Sequence, residues 1–316
     1  MGSPRSVSVP GVVALVLAAL FWAGNYVFGA IAVTTMDPFS LTFLRWAFAV
    51  VPLVVLAQVM ERPDWRAILR RWPYLALRGA LGLAAYSLLL YLALSHTNAL
   101  AASLINAANP ALIAVAARVL LGDELGPLSV IGVAAALVGV LVILTQGDLA
   151  AVFDTSIGVG EWLMLGAIVA WTAYTLAARY GPELPPIGAT AAEAGLVVAG
   201  MALLAPFLGV TLPPTPAAGW SLLFIVVFPS CASYVLWNRA TAVVPPALAG
   251  VSLNLIVVFA ALATAFQGIP ITGAQVTGGL IILVGVVLTC LPPGRWPGSP
   301  RRTRAVRSAD RVSRGL

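Results

Sequence analysis

The chain contains no lysine, one histidine (His96) and two cysteines, and only 9% of its 316 residues are charged. Each shortage removes a class of function. Soluble domains carry roughly 25% charged residues, so water is not the solvent for most of this chain. Cys231 and Cys290 lie inside apolar runs and read as small hydrophobes, not as a disulfide framework or metal ligands. With one histidine beside them no zinc site can be assembled. No HExxH, GxSxG or Walker pattern occurs, so neither metal, cofactor nor nucleotide chemistry is expected and the chain does not read as an enzyme. The net charge of +6 rests on seventeen arginines, seven of them beyond Pro293. A basic tail of that kind does not by itself point to nucleic acid.

What the chain has in quantity is apolar sequence: 61% hydrophobic residues and a mean hydropathy of +1.01. A helix crosses the hydrocarbon core with about 20 apolar residues. Ten such runs are expected, near Gly11–Ile31, Phe39–Val59, Pro73–Leu94, Asn98–Leu120, Pro127–Thr145, Val159–Arg179, Ile187–Gly209, Ala218–Arg239, Val244–Gln267 and Thr272–Leu291. The breaks carry turn chemistry: Asp37-Pro38, Gly126-Pro127, Pro185-Pro186, the Pro213–Pro216 cluster and Gly268-Ile269-Pro270. The first run is too long for the apolar core of a leader peptide and carries Asn25 near its end, so it is expected to stay as a span.

Orientation follows from arginine. With the N-terminus inside, the inner segments hold Arg5, Arg62, Arg66, Arg70, Arg71, Arg118, Arg179, Arg239 and the tail arginines, and the outer connections hold none. Both ends are therefore expected in the cytoplasm. The Arg-rich tail, residues 292–316, lacks apolar periodicity and suits anionic lipid headgroups.

The organising stretch is Asn98–Gly132, an apolar helix with Asn106, Asn109 and Pro110 at its middle, then Arg118, Asp123 and Glu124, then a second apolar helix. Its plan returns about 145 residues later, from Thr241 to Gly278, with Asn254 at the middle. Trp22 pairs with Trp171, Tyr91 with Tyr234, and Gly132 and Gly139 with Gly278 and Gly285 at the same spacing of seven. Seven residues are almost two turns, so each glycine pair lies on one helix face and permits close approach. Five spans per half is odd, so the second half must enter the membrane inverted. Residues 11–145 and 159–291 are the expected repeats. Such repeats place substrate sites near the midplane, where they meet, and alternate access by rocking.

The chain resembles the drug/metabolite transporter superfamily, in particular its ten-helix EamA-type exporters. The likeness rests on Leu20-Phe-Trp-Ala-Gly-Asn25, Asp37-Pro-Phe-Ser-Leu-Thr-Phe-Leu-Arg45, Asn109-Pro110, and Leu121-Gly-Asp-Glu124 followed by Ile131-Gly132 and Val138-Gly139. It implies efflux or exchange of small metabolites, often amino acids, through a central cavity in the cytoplasmic membrane. The second half departs from the pattern: Leu255 stands where proline is expected after Asn254, and Gln267-Gly-Ile-Pro270 replaces the Gly-Asp-Glu segment.

Asn25, Asn109 and Asn254 are candidate substrate contacts. Polar groups at mid-membrane must find a partner or face a water-filled cavity, and interhelical hydrogen bonding competes with the substrate reading. Pro110 removes a backbone donor and frees the Asn106 carbonyl. Trp22, Trp171, Tyr174, Tyr91 and Tyr234 are candidates to line the cavity and stack on a substrate, against the alternative of core packing. Trp46, Trp162, Trp220 and Trp296 read as interface anchors. Arg45 and Glu193 occupy corresponding places in spans two and seven. Arg45 is a candidate to attract a carboxylate near the outer mouth, or to bond a helix carbonyl. Glu193 is a candidate coupling or gating acid, or a structural one. Asp123 and Glu124 read as a cap for span five or partners of Arg118. A lipid-carrier flippase is the closest rival function, an intramembrane enzyme a more distant one, and pairing of two copies stays open.

Overall fold

The computed structural model describes residues 9–122, 126–148, 158–244 and 252–290. Among them every regular element is helical. In chain order these are α1 (Val9–Ala32), α2 (Pro38–Met60), the short α3 (Trp65–Leu69), α4 (Trp72–Arg78), a π-helical segment Gly79–Ala85, α5 (Tyr86–Leu94), α6 (Ala99–Ala107), α7 (Asn109–Leu121) and α8 (Pro127–Leu144). Then follow α9 (Val159–Tyr180), α10 (Pro186–Leu208), α11 (Pro216–Val227), a second π-helical segment Phe228–Ala232, α12 (Ser233–Val243), α13 (Leu255–Phe266) and α14 (Gly273–Cys290). Eight helical runs among the described residues are long and apolar enough to cross a membrane, and α13 and α14 are shorter apolar helices. At 1.5 Å per residue, the 24 residues of α1 reach about 36 Å, more than a hydrocarbon core of about 30 Å. This is a multi-pass membrane protein.

The helix starts obey local chemistry. Asp37 accepts the Ser40 amide (2.9 Å) to cap α2, Asn98 the Ala101 amide (2.8 Å) to cap α6, and Thr215 the Ala218 amide (3.2 Å) to cap α11. Proline opens α2, α8, α10 and α11, where its missing N–H costs nothing. α10 has no cap of its own; instead the Glu61 carboxylate, just past α2, accepts the Ile187 and Gly188 amides at 2.9 and 2.8 Å. At the other end of the same pair, Thr211 donates to Ser40 and Asp37. The α2–α10 contact is thus pinned at both ends.

Expected span four is two helices, α6 and α7, parted at Ala108. Pro110 explains that break. A matching break lies at Leu253-Asn254, before α13, where Leu255 stands in the proline's place. Proline is therefore not required for it. The expected span Val244–Gln267 includes residues 245–251, which lie outside the described residues, as do Asp123, Glu124, Trp296 and the Arg-rich tail.

Four glycines make the tightest seam. A Cβ on Gly132 would strike the Gly285 carbonyl oxygen, and one on Gly285 the Gly132 oxygen (2.6 Å); a Cβ on Gly139 would meet the Gly278 oxygen (2.6 Å), and one on Gly278 the Gly139 oxygen (2.7 Å). α8 and α14 therefore run antiparallel, backbone on backbone, with each glycine's missing side chain making room for its opposite number. Elsewhere α1 packs on α11, α12 and α13, and α9 on α5, α6 and α7.

One sequence expectation fails here. Trp46 is not an interface anchor: it is 1% exposed, and its indole N–H donates to the Leu83 carbonyl at 2.9 Å. That carbonyl belongs to the π-helical segment Gly79–Ala85, whose altered ladder leaves it available to a side chain. Trp162 and Trp220 remain exposed, at 59% and 69%, as headgroup-level tryptophans would be.

Candidate functional site

A cavity of about 580 Å³ is lined by residues from both halves of the chain, from α1, α2 and α4–α7 and from α9, α10, α12 and α13. That volume suits a small organic molecule. Eight of the ten residues singled out from the sequence line it: Trp22 and Asn25 from α1, Arg45 from α2, Asn109 at the start of α7, Trp171 and Tyr174 from α9, Tyr234 from α12 and Asn254 at the break before α13. Tyr91 and Glu193 do not reach it; both are 0% exposed and stand one layer behind.

Its walls are aromatic. Trp22 meets Tyr234 edge-on at 6.1 Å and Trp237 at 5.5 Å, while Trp171 meets Tyr86 at 5.0 Å and Tyr174 at 5.1 Å. Each tryptophan of the pair Trp22 and Trp171 thus anchors its own cluster. Between the clusters the Tyr26 and Tyr86 hydroxyls meet at 3.0 Å, and Tyr86 donates to Asn106 Oδ1 at 3.4 Å. Asn109 Oδ1 accepts from the Thr172 hydroxyl at 3.1 Å, so this asparagine both ties α7 to α9 and borders the cavity.

Arg45 is held by side chains, not by a helix carbonyl. Its Nε donates to Ser230 Oγ (2.8 Å) and its Nη1 to Tyr91 Oη (2.9 Å) and Asn25 Oδ1 (3.3 Å), while the Tyr91 hydroxyl donates to the same Asn25 oxygen at 2.9 Å. The guanidinium also lies 4.7 Å from the Trp46 ring centroid and 5.9 Å from that of Tyr91. Only 4% of the residue is exposed. Ser230 is presented by the second π-helical segment, Phe228–Ala232.

Glu193 meets Arg78, a residue sequence reasoning passed over. Arg78 Nη1 lies 3.2 Å from Glu193 Oε1, and Nη2 donates to the Tyr174 hydroxyl at 3.0 Å. The Tyr174 and Tyr74 rings flank the guanidinium, their centroids at 4.8 and 5.5 Å. Arg78 lines the cavity; Glu193 does not. The signal for Arg78 was present as an arginine inside an apolar run, an arrangement that is costly in a membrane unless it serves a purpose. Tyr26, Tyr86, Trp237 and Asn238, which also line the cavity, carried no comparable signal. Gly82 has to be glycine because a Cβ there would enter the Tyr174 ring.

The cavity reaches one end of the protein, where Pro182, Glu183 and Leu184 of the connection before α10 form its rim. Side-chain bonds join connections at the opposite end: Thr97 to Glu161 (2.8 Å), Thr211 to Ser40 and Asp37, and Thr272 to Gln146 (3.4 Å). Among the described residues, none of those latching groups lines the cavity.

The described residues form an all-helical, multi-pass protein folded round a cavity, an architecture that suits a membrane transporter. Residues 9–145 and 158–291 match the EamA-like transporter family, and the chain belongs to it. A "Probable terminal-alkyne amino-acid exporter" of Streptantibioticus cattleyicolor is 29% identical over 283 residues, 87% of this chain and 91% of that protein. An uncharacterized transporter of Archaeoglobus fulgidus is 28% identical over 87% of this chain and 95% of its own length. The uncharacterized transporter YyaM of Bacillus subtilis is 26% identical over 66% of this chain and 70% of its own. A solved crystal structure at 20% identity superposes with a TM-score of 0.64 over 90% of this chain and 98% of that one, a likeness of fold alone.

Proposed function

We propose that the chain is a secondary transporter of the cytoplasmic membrane that moves small organic metabolites, amino acids or related compounds, outward by alternating access. The observation that carries this reading is the aromatic-walled cavity, open at one end and latched at the other. The reading includes ten spans in two inverted five-helix repeats, with both termini in the cytoplasm. Three features support the repeats. The glycine seam of α8 and α14 is reciprocal and antiparallel. α1 packs on α12 and α13 as α9 packs on α5 and α6. Each of the two α6–α7-like stretches breaks beside its asparagine. The arginine distribution supports the orientation, under which the cavity opens to the cytoplasm and can load there.

The amino-acid preference is supported by the printed name of the Streptantibioticus relative and by the mixture of aromatic walls, amides and cations round the cavity. Trp22, Asn25, Asn109, Trp171, Tyr174, Tyr234 and Asn254 are the proposed substrate contacts, with Tyr91 acting through Arg45 and Asn25. The test is counterflow into liposomes preloaded in turn with amino acids, sugars and nucleosides. Accumulation of labelled amino acid is the expected outcome. Lipid scrambling with no solute movement would favour the flippase instead.

A further inference from the structure

We propose that Arg78 is the cavity's anion-recognising group and Glu193 its built-in competitor, so that a ligand carboxylate binds Arg78 as Glu193 takes up a proton. The proposal rests on the transport reading and names the ligand class: a small carboxylate with an apolar or aromatic body.

The two cations of the cavity wall are unequal. Arg45 makes three side-chain hydrogen bonds and is 4% exposed; its Nε and Nη1 donate to neutral groups that hold it in place. The Arg78 side chain is 12% exposed, and its Nε, buried, has no hydrogen-bond acceptor within the protein. Its charge is balanced by Glu193, which is 0% exposed and has neither carboxylate oxygen in good hydrogen-bond geometry. A largely buried ion pair with polar atoms left over makes a poor structural staple, because desolvation can outweigh an imperfectly bonded Coulomb gain. It makes a good exchangeable contact. Arg78 can be reached from the cavity and Glu193 cannot, so an incoming carboxylate can take the guanidinium only by competing from the cavity side. Bidentate, planar recognition of carboxylate is what guanidinium does well.

The charges then close as follows. With the cavity empty, Arg78 and Glu193 sum to zero. Bound carboxylate adds one negative charge beside a buried acid whose counter-ion is now shared. Glu193 gains one proton from a hydronium ion that enters through the cavity, one O–H bond of the hydronium breaking as one forms on the carboxylate and neutral water being left, and the sum returns to zero; release reverses each step. The elements packed on α10 bring these charged and titratable groups: α4 brings Tyr74 and Arg78; α12 brings Tyr234; α3 brings Arg66, which is exposed; α2 brings Arg45, bonded to Asn25, Tyr91 and Ser230; and Glu61, just past α2, holds the α10 N-terminus. The Tyr174 hydroxyl of α9 is tied to Arg78. Tyr174 lines the cavity, and its hydroxyl accepts from Arg78.

The test is equilibrium dialysis of the purified full chain with radiolabelled 3-phenylpropanoate and, separately, 3-phenylpropanamide between pH 6 and pH 9. Wild type should bind the carboxylate more weakly as pH rises, by at most about tenfold per pH unit for one linked proton, and bind the amide without pH dependence. Glu193→Gln should bind the carboxylate at pH 9 as tightly as wild type does at pH 6. Arg78→Gln should lose about tenfold or more of carboxylate affinity and none for the amide. The double variant, which restores charge balance, should fold and show no preference. Carboxylate affinity kept in Arg78→Gln, wild-type pH dependence kept in Glu193→Gln, or no carboxylate binding at any pH would overturn the proposal. Counterflow separates this failure from that of the transport reading: transport that ignores Arg78 sinks only the exchange, and binding without transport sinks only the transporter.

Discussion

Arg45→Lys is expected to harm this protein more than Arg45→Met, although lysine keeps the charge. The guanidinium reaches Ser230, Tyr91 and Asn25 at once and lies near the Trp46 and Tyr91 rings. A lysine offers a point charge on a narrower stem and cannot fork to all three. It would leave a buried cation short of acceptors, at a cost of about 3 kcal/mol. Methionine removes the charge and fills much of the volume. The three neutral groups it abandons are not orphaned: Tyr91 still donates to Asn25, and Ser230 still donates to the Ile225 carbonyl at 2.8 Å. Its cost should stay within about 1 kcal/mol, as for other buried charges replaced by apolar side chains. Thermal unfolding in detergent, read as the midpoint shift of each variant, checks the ordering. A lysine variant as stable as wild type, with methionine well below it, would show that Arg45 works as a charge and not as a fork. In either variant Asn25 at the cavity loses the support that Arg45 gives it directly and through Tyr91, and counterflow is expected to fall with it.

The second large effect belongs to the glycine seam. Gly132→Leu places a side chain where the Gly285 carbonyl and the Thr289 backbone already are. Backbone cannot yield as a side-chain tip can, so α8 and α14 must separate along their length. Overpacking commonly costs about 1–3 kcal/mol; backbone against backbone places this case at or beyond the top of that range. Gly200→Ala is the internal comparison. It lies in α10 with nothing within 4 Å of its would-be Cβ, and the gain in helix propensity makes it neutral or stabilising by up to about 1 kcal/mol. Size-exclusion profiles and unfolding midpoints should separate the two glycines clearly. Equal tolerance of both would mean that the seam is not the structural joint its geometry suggests.

Much of the helix framework was legible because its causes are local. Hydropathy places span two at Phe39–Val59, and α2 runs Pro38–Met60; Asp37 and Pro38 state the boundary in sequence before any contact forms. The glycine spacing on α8 and α14 was legible for the same reason, although which glycine meets which was not. The π-helical segments were invisible. They add a residue to a turn without altering apolar periodicity over so short a run, yet they free the Leu83 carbonyl for Trp46 and aim Ser230 at Arg45. Trp46 was misplaced on that account: tryptophan in a span reads as an anchor unless its N–H finds an acceptor in the interior. Arg78 escaped notice because it lies near the start of its run, close behind the basic Arg70 and Arg71, and reads as one group with them. Its pairing with Glu193 spans more than a hundred residues, a distance at which periodicity carries no information.

The central claim is that the cavity lined by both halves of the chain is the route of the transported molecule. Its most direct test introduces Asn109→Cys and Asn254→Cys, singly, after Cys231 and Cys290 have been replaced by serine. Each variant is treated with a membrane-impermeant maleimide in inside-out and right-side-out vesicles and then assayed for counterflow. Both cysteines are expected to react in inside-out vesicles, where the Pro182–Leu184 rim faces the reagent, and labelling should abolish transport. Cysteines that react from neither face, or that react fully while transport continues, would contradict the account.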